Sequence, residues 1–180
     1  MDNNKIVQGK DKILLFRKLG ESSAALKLLF QVEHTFEFSR ELDTIVTKDG
    51  TIVKDSGIES EVPIEAVQAK NDPAYTMLQN SVINGEMLEI WEVTLDEDMK
   101  EGSEYPGIYA RGRLDSWSIP ANVEDEATIS STLIVEGVPQ FGTTPIPAGL
   151  KESLSQYGFV KLTTGASGDD AARLSPDSKK

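Results

Sequence analysis

At 180 residues the chain is long enough for one domain and a tail, and 18 Lys and Arg against 30 Asp and Glu give it a formal net charge of −12. So acidic a surface repels phosphate backbones, which argues against sequence-reading DNA or RNA binding. The absence of cysteine removes disulfides, thiolate zinc sites and cysteine nucleophiles together, and fits folding in a reducing cytoplasm. The opening MDNNKIVQGKDK lacks the apolar core of a signal peptide, and no later run approaches membrane-spanning length, so neither ordinary export nor membrane insertion is expected.

Ile13 to Phe16 is a short continuous apolar run and predicts a buried strand. Gly20 to Ser23 is turn chemistry, leading into the longest alternating pattern in the chain, Ala24 to Phe38. There Leu26, Leu28, Phe30, Val32, His34, Phe36 and Phe38 fall on one side, and mostly polar residues on the other. This predicts one long strand that spans a sheet or bends between two. Thr44-Ile45-Val46-Thr47 and Thr51-Ile52-Val53-Lys54 are nearly the same motif, with Asp49-Gly50 between them, the strongest short-range signal for a β-hairpin. A two-stranded hairpin with so few apolar residues has no core of its own. It either lies on the domain or is an arm ordered by another subunit.

Ile58 to Gln68 alternates again, and Pro63 predicts an edge strand or a bulge there. Asp72-Pro73 opens a helix over 72–84 that ends at Asn84-Gly85. Strands are expected over 86–95, over 105–119 as one strand or a bent pair, and over 127–137 as the last. Leu150, Leu154 and Tyr157 keep the spacing of a short docking helix within 143–162, and the polar run 163–180 is expected to be flexible. The whole reads as a mainly β fold, a β-sandwich or barrel of about seven strands with one flanking α-helix. Residues 1–142 form its domain, with the hairpin 41–57 as an arm.

Chemistry is sparse. His34 is the sole histidine and sits on an apolar face, which reads as packing. Glu59, Glu61, Glu65, Glu89 and Glu92 read as a solvated acidic sheet face. Gly107 and Gly112 lack the lysine and helix of a phosphate loop, and Asp96 to Glu101 lacks calcium-loop spacing. Tyr109 and Trp117 are expected on one face with Arg111 and Arg113, either as an interface or as a small core beneath the helix. No catalytic residue, metal or cofactor is expected. A carbohydrate- or ligand-binding β-sandwich is an alternative, and a carboxylate-pair hydrolase a weaker one.

Taken together, Val7 to Phe16, Glu33-His34-Thr35, Thr47 to Gly50, Gly85 to Glu92 (GEMLEIWE) and Val135-Glu136-Gly137 resemble, in order and spacing, the major tail proteins of long-tailed bacterial viruses. The likeness is specifically to the family typified by lactococcal phage TP901-1, over Val7 to Gln140. The resemblance implies a β-sandwich whose copies close into rings of six, stack into a hollow tube and join strands around a DNA channel. It implies a virion-tail location after assembly in the host cytoplasm. It further implies contact with a tape measure protein, a tail terminator and distal tail proteins, while DNA passes without specific binding. The residues expected between subunits are Thr44, Ile45, Val46, Asp49, Gly50, Ile52 and Val53 of the arm, with Tyr109, Arg111 and Trp117.

Overall fold

In the structure, a computed structural model describing residues 6–146 and Leu150, local alternation of apolar side chains becomes a curled sheet. The described residues form β1 (Lys12–Lys18), β2 (Leu26–Lys27), β3 (Gln31–His34), β4 (Glu37–Thr47), β5 (Gly50–Val67), α1 (Pro73–Asn84), β6 (Leu88–Thr94), β7 (Tyr105–Leu114), β8 (Thr128–Val135) and β9 (Gln140–Thr144). The strands run in the order β2-β1-β6-β7-β8-β5-β3, with β4 also on β5 and β9 also on β7. Leu14, Phe16, Val62, Ile64, Leu88, Ile90, Ala110, Leu133 and their neighbours make one buried cluster, which α1 joins through Ala74 and Leu78. Strands far apart in the sheet share that cluster because the sheet folds over on itself.

Two features produce the fold-over. β7 and β8 pair over three positions only, Gly112↔Val135, Arg113↔Ile134 and Leu114↔Leu133, a short seam between the two halves of the sheet. At the other side the Gln31 amide of β3 donates to the Leu14 carbonyl of β1 (2.8 Å) and its oxygen accepts the Leu14 N–H (2.9 Å). One side chain thus ties β3, at one end of the strand order, to β1, next to the other end, in a nearly closed sandwich.

The strand expected over Ala24–Phe38 is three pieces. Lys27 ends β2, Phe30 turns with φ 50°, and β4 begins at Glu37. Leu28 is buried, whereas Phe30 and Val32 are 65% and 66% exposed, so the even-numbered set is not one continuous buried face. Tertiary hydrogen bonds fix the break: the Asp72 carboxylate accepts the Leu29 N–H (2.9 Å) and the Phe30 carbonyl accepts the Val67 N–H (3.0 Å). The strand that spans the sheet is β5, 18 residues long, whose outer half lies in the hairpin and whose inner half pairs with β3 and β8.

Pro63 lies inside the sheet, since β5 has neighbours on both sides. The Pro63 carbonyl accepts the Thr35 N–H (3.1 Å), and the residue's own nitrogen points to that same side. There β3 ends opposite Ile64 and β4 begins opposite Glu61, so the missing donor falls in a gap between two ladders.

Asp72 starts α1 as read from sequence. Its Oδ1 accepts the Ala74 N–H (2.8 Å), while Gly85, at φ 63°, closes the other end. The same carboxylate holds Leu29, so helix cap and β2–β3 turn share one buried residue. Asp72→Ala removes a cap worth about 1 kcal/mol and strands a backbone donor for about 1–3 kcal/mol more. A loss of about 2–4 kcal/mol in urea unfolding is expected.

β9 is a strand the sequence reading did not contain, and it crosses the expected 142/143 boundary. It continues along the edge of β7 beyond β8, pairing Tyr105↔Thr144 through Tyr109↔Gln140. The docking helix and polar tail expected beyond it lie outside the described residues, apart from 143–146 and Leu150.

Candidate assembly surface

The hairpin of β4 and β5 stands clear of the sandwich: every residue from Glu37 to Gly57 is exposed. The register pairs Ile45↔Ile52, Thr44↔Val53, Val46↔Thr51 and Thr47↔Gly50. The two-residue turn is therefore Lys48-Asp49, not Asp49-Gly50, and the positive φ falls one residue later, at Gly50 (139°). Lys48 and Asp49 both keep negative φ, so this is not the turn in which both central residues are left-handed. Thr47 stabilises it, its hydroxyl donating to the Gly50 carbonyl (2.7 Å).

A register shift lies at the arm's root, where Glu41 opposes Ser56 and Gly57 between Arg40↔Ile58 and Leu42↔Asp55. Asp55 organises it, accepting the Gly57 N–H (2.9 Å) and pairing with the Arg40 guanidinium. Such bulges increase twist and redirect a ribbon, which suits the point where the arm leaves the body.

The aromatic candidates separate. Trp117 lies beyond the end of β7 and packs edge-on against Tyr75 of α1 (5.4 Å between centroids), beside the main core. Tyr109 stacks at a tilt on Trp91 (5.3 Å) and donates its hydroxyl to Glu89 (2.9 Å). Arg17 also holds Glu89, through Nε (2.8 Å), and its guanidinium sits 5.0 Å from the Trp91 ring centroid. Burial and then the Glu89 hydrogen bond raise the Tyr109 pKa, and that same carboxylate raises the pKa of Arg17. Arg111 is exposed and forms no patch with Trp117, because the strand stops at Leu114 before the alternation can carry that far.

Glu89 and Glu92 are buried, which corrects their reading as part of a solvated face; Glu59, Glu61 and Glu65 are exposed as expected. Glu92 binds Lys12 Nζ (2.7 Å) and His34 Nε2 (3.1 Å), joining β1, β3 and β6. Burial raises the Glu92 pKa, but the hydrogen bonds from His34 and Lys12 outweigh it and hold the carboxyl below its ordinary value. The lone histidine is thus a packed bridging residue. The spacing of Lys12, His34 and Glu92 in sequence gives no signal of the trio; the sheet order alone makes it.

On the outer face, cross-strand pairs of like charge stand opposite one another, Glu33↔Glu65 and Glu37↔Glu61. Among the described residues no three metal-ligating side chains come together. The cleft bounded by Trp91, Tyr109 and Phe141 holds about 160 Å³, and one of about 480 Å³ lies at the arm's root, lined by Glu37, Glu59, Glu61 and Ile134.

A nearly closed sandwich with one lateral helix and a protruding two-stranded arm is the architecture of a structural subunit, one with more surface to share than to react. The family model for phage tail tube proteins matches residues 6–141, and the chain belongs to that family. The match is to the tail tube family at large and does not single out the lactococcal branch. A putative tail protein of Staphylococcus phage phiMR25 is 26% identical over 151 residues, 83% of this chain and 78% of the relative. The solved SPP1 tail tube subunit has the same fold, with a TM-score of 0.72 at 18% identity over 90% of this chain and 95% of its own. Chains from a gene transfer agent virion (TM-score 0.56, 14% identity, 75% of this chain and 98% of theirs) and from the sheath–tube complex of an extracellular contractile injection system (0.57, 12%, 80% and 95%) also share it. The protein is a structural component of a phage tail tube.

Proposed function

We propose that copies of this chain close into six-membered rings, stacked into the hollow tube of the virion tail, and that the arm Glu41–Gly57 bridges successive rings. The observation that carries this is an arm with exposed apolar residues along its length and no cover from its own body. Closure into rings would also remove the open sheet margins that invite aggregation. The acidic outer face of β3, β4 and β5, with Glu33, Glu37, Glu61 and Glu65, would turn toward the channel, so that passing DNA is repelled along its whole path. Tyr109 and Arg111 remain lateral contacts in this scheme, while Trp117 belongs to the packing beneath α1. The tape measure protein would occupy the lumen, with the terminator and distal tail proteins on the end rings. Assembly would take place in the host cytoplasm without catalysis.

Deleting Leu42 to Ser56 tests this reading. The shortened chain should retain the circular dichroism and cooperative melting of the sandwich, because those residues contribute nothing to the buried cluster. Negative-stain micrographs should show tubes for the natural chain and none for the deletion. Normal tubes from the deletion would overturn the arm's role.

A further inference from the structure

The arm carries exposed apolar residues on both faces. Cross-strand partners share a face, so Ile45 and Ile52 project to one side, and Val46, Val53 and Leu42 to the other. None is covered: Ile45 is 49% exposed and Ile52 56%, while Val46 is 80%, Val53 60% and Leu42 56%. A hairpin laid on a single surface buries one face and leaves the other wet. A ribbon that docks on one side alone accordingly reads apolar on that side and polar on the other. Neither side of this ribbon is wholly polar: Ile45 and Ile52 stand with Asp43, Thr47 and Lys54, and Leu42, Val46 and Val53 with Thr44, Thr51 and Asp55.

We infer that both faces of the arm are buried in the assembled tube, each arm being gripped between two other copies of the chain. The inference rests on the tube reading above and deepens it by giving each arm two partners instead of one. Charge supports copies of the same chain as those partners. Over Glu41–Gly57 the arm carries Glu41, Asp43, Asp49 and Asp55 against Lys48 and Lys54, and its distal part, from Leu42 to Lys54, is balanced in a chain of net charge −12. The arm can therefore enter between acidic bodies that would otherwise repel one another. Each body also offers apolar surface to receive it. Phe38 stacks on Phe36 (5.3 Å) and on Phe141 (6.0 Å), with Phe38 43% and Phe141 74% exposed beside the arm's root.

A chain without cysteine makes the test clean. Ile45→Cys and Val46→Cys place thiols at adjacent positions that face opposite ways. Each variant is mixed with an excess of the natural chain and assembled into mosaic tubes, and maleimide labelling is timed in tubes and in free subunits. Both thiols should label more than about tenfold more slowly in tubes, since burial keeps the reagent from the thiolate. If either labels in tubes at its free-subunit rate, the arm lies on one surface only; the two-sided grip is overturned, while the tube and its bridging arm stand. If the natural chain forms no tubes, the proposed function falls and this inference with it. Where a variant is left out of the mosaic, Ile52→Cys or Val53→Cys reads the same face.

Discussion

Gly112→Val is expected to yield no folded protein. Gly112 sits at the seam, paired with Leu88 of β6 on one side and Val135 of β8 on the other. A Cβ built there would lie 2.0 Å from the Ile134 carbonyl oxygen and 2.9 Å from Leu133 Cδ2. The first of these is backbone held in a ladder and cannot swing aside. Leu133 is a fully buried member of the core, so yielding there would open the cluster itself. A clash of this kind belongs to the tail of substitution effects beyond about 4–5 kcal/mol, comparable to the whole stability of many domains. Soluble yield and circular dichroism would show the loss. Gly142→Ala in β9, where an added Cβ meets nothing within 4 Å, should shift stability by about 0.5 kcal/mol or less and serves as the control. A Gly112→Val chain that melts like the natural protein would contradict the seam.

The second large effect is at Glu92. Glu92→Ala should destabilise the sandwich by about 3 kcal/mol. It strips His34, whose side chain is 9% exposed, of its carboxylate and opens a gap among β1, β3 and β6, while Lys12, 39% exposed, can turn to water. The effect has a pH signature. The carboxyl is held below its ordinary value in the folded state, so its contribution is fully present above the unfolded value of roughly 4.3. That contribution is lost as pH falls through the lower folded value. The stability gap between the natural chain and Glu92→Gln should therefore narrow as pH falls below about 4. Urea midpoints at several pH values measure it. A gap that does not narrow below about pH 4 would mean that the carboxylate is not held by His34 and Lys12.

These two residues show where sequence reasoning stops. Local signals carried far: the Asp72-Pro73 start and Gly85 stop of α1, the apolar run of β1 and the alternation along β5 need only their own neighbours to be recognised. The Ala24–Phe38 pattern misled because alternation reports which way side chains would point if the chain stayed extended. Whether it does stay extended is decided by partners such as Asp72 and Val67, over 35 residues away in sequence. β9 escaped because Gln140 to Thr144, nearly all exposed on an edge, has no alternation to give. Glu89 and Glu92 looked like surface carboxylates because nothing near them in sequence announces Arg17, Tyr109, Lys12 or His34.

The sequence by itself determined the β class, α1 with both ends, the hairpin, the acidity, and the likeness to tail proteins. These are local or compositional properties, set by dihedral preference, side-chain alternation and net charge. The tertiary structure alone decided the strand order, the seam at Gly112, the turn at Lys48-Asp49, the split of Tyr109 from Trp117, and the carboxylates held inside. Each of these depends on residues brought together from distant parts of the chain, and pairing between strands is fixed by the packing of the whole sheet rather than by any one segment.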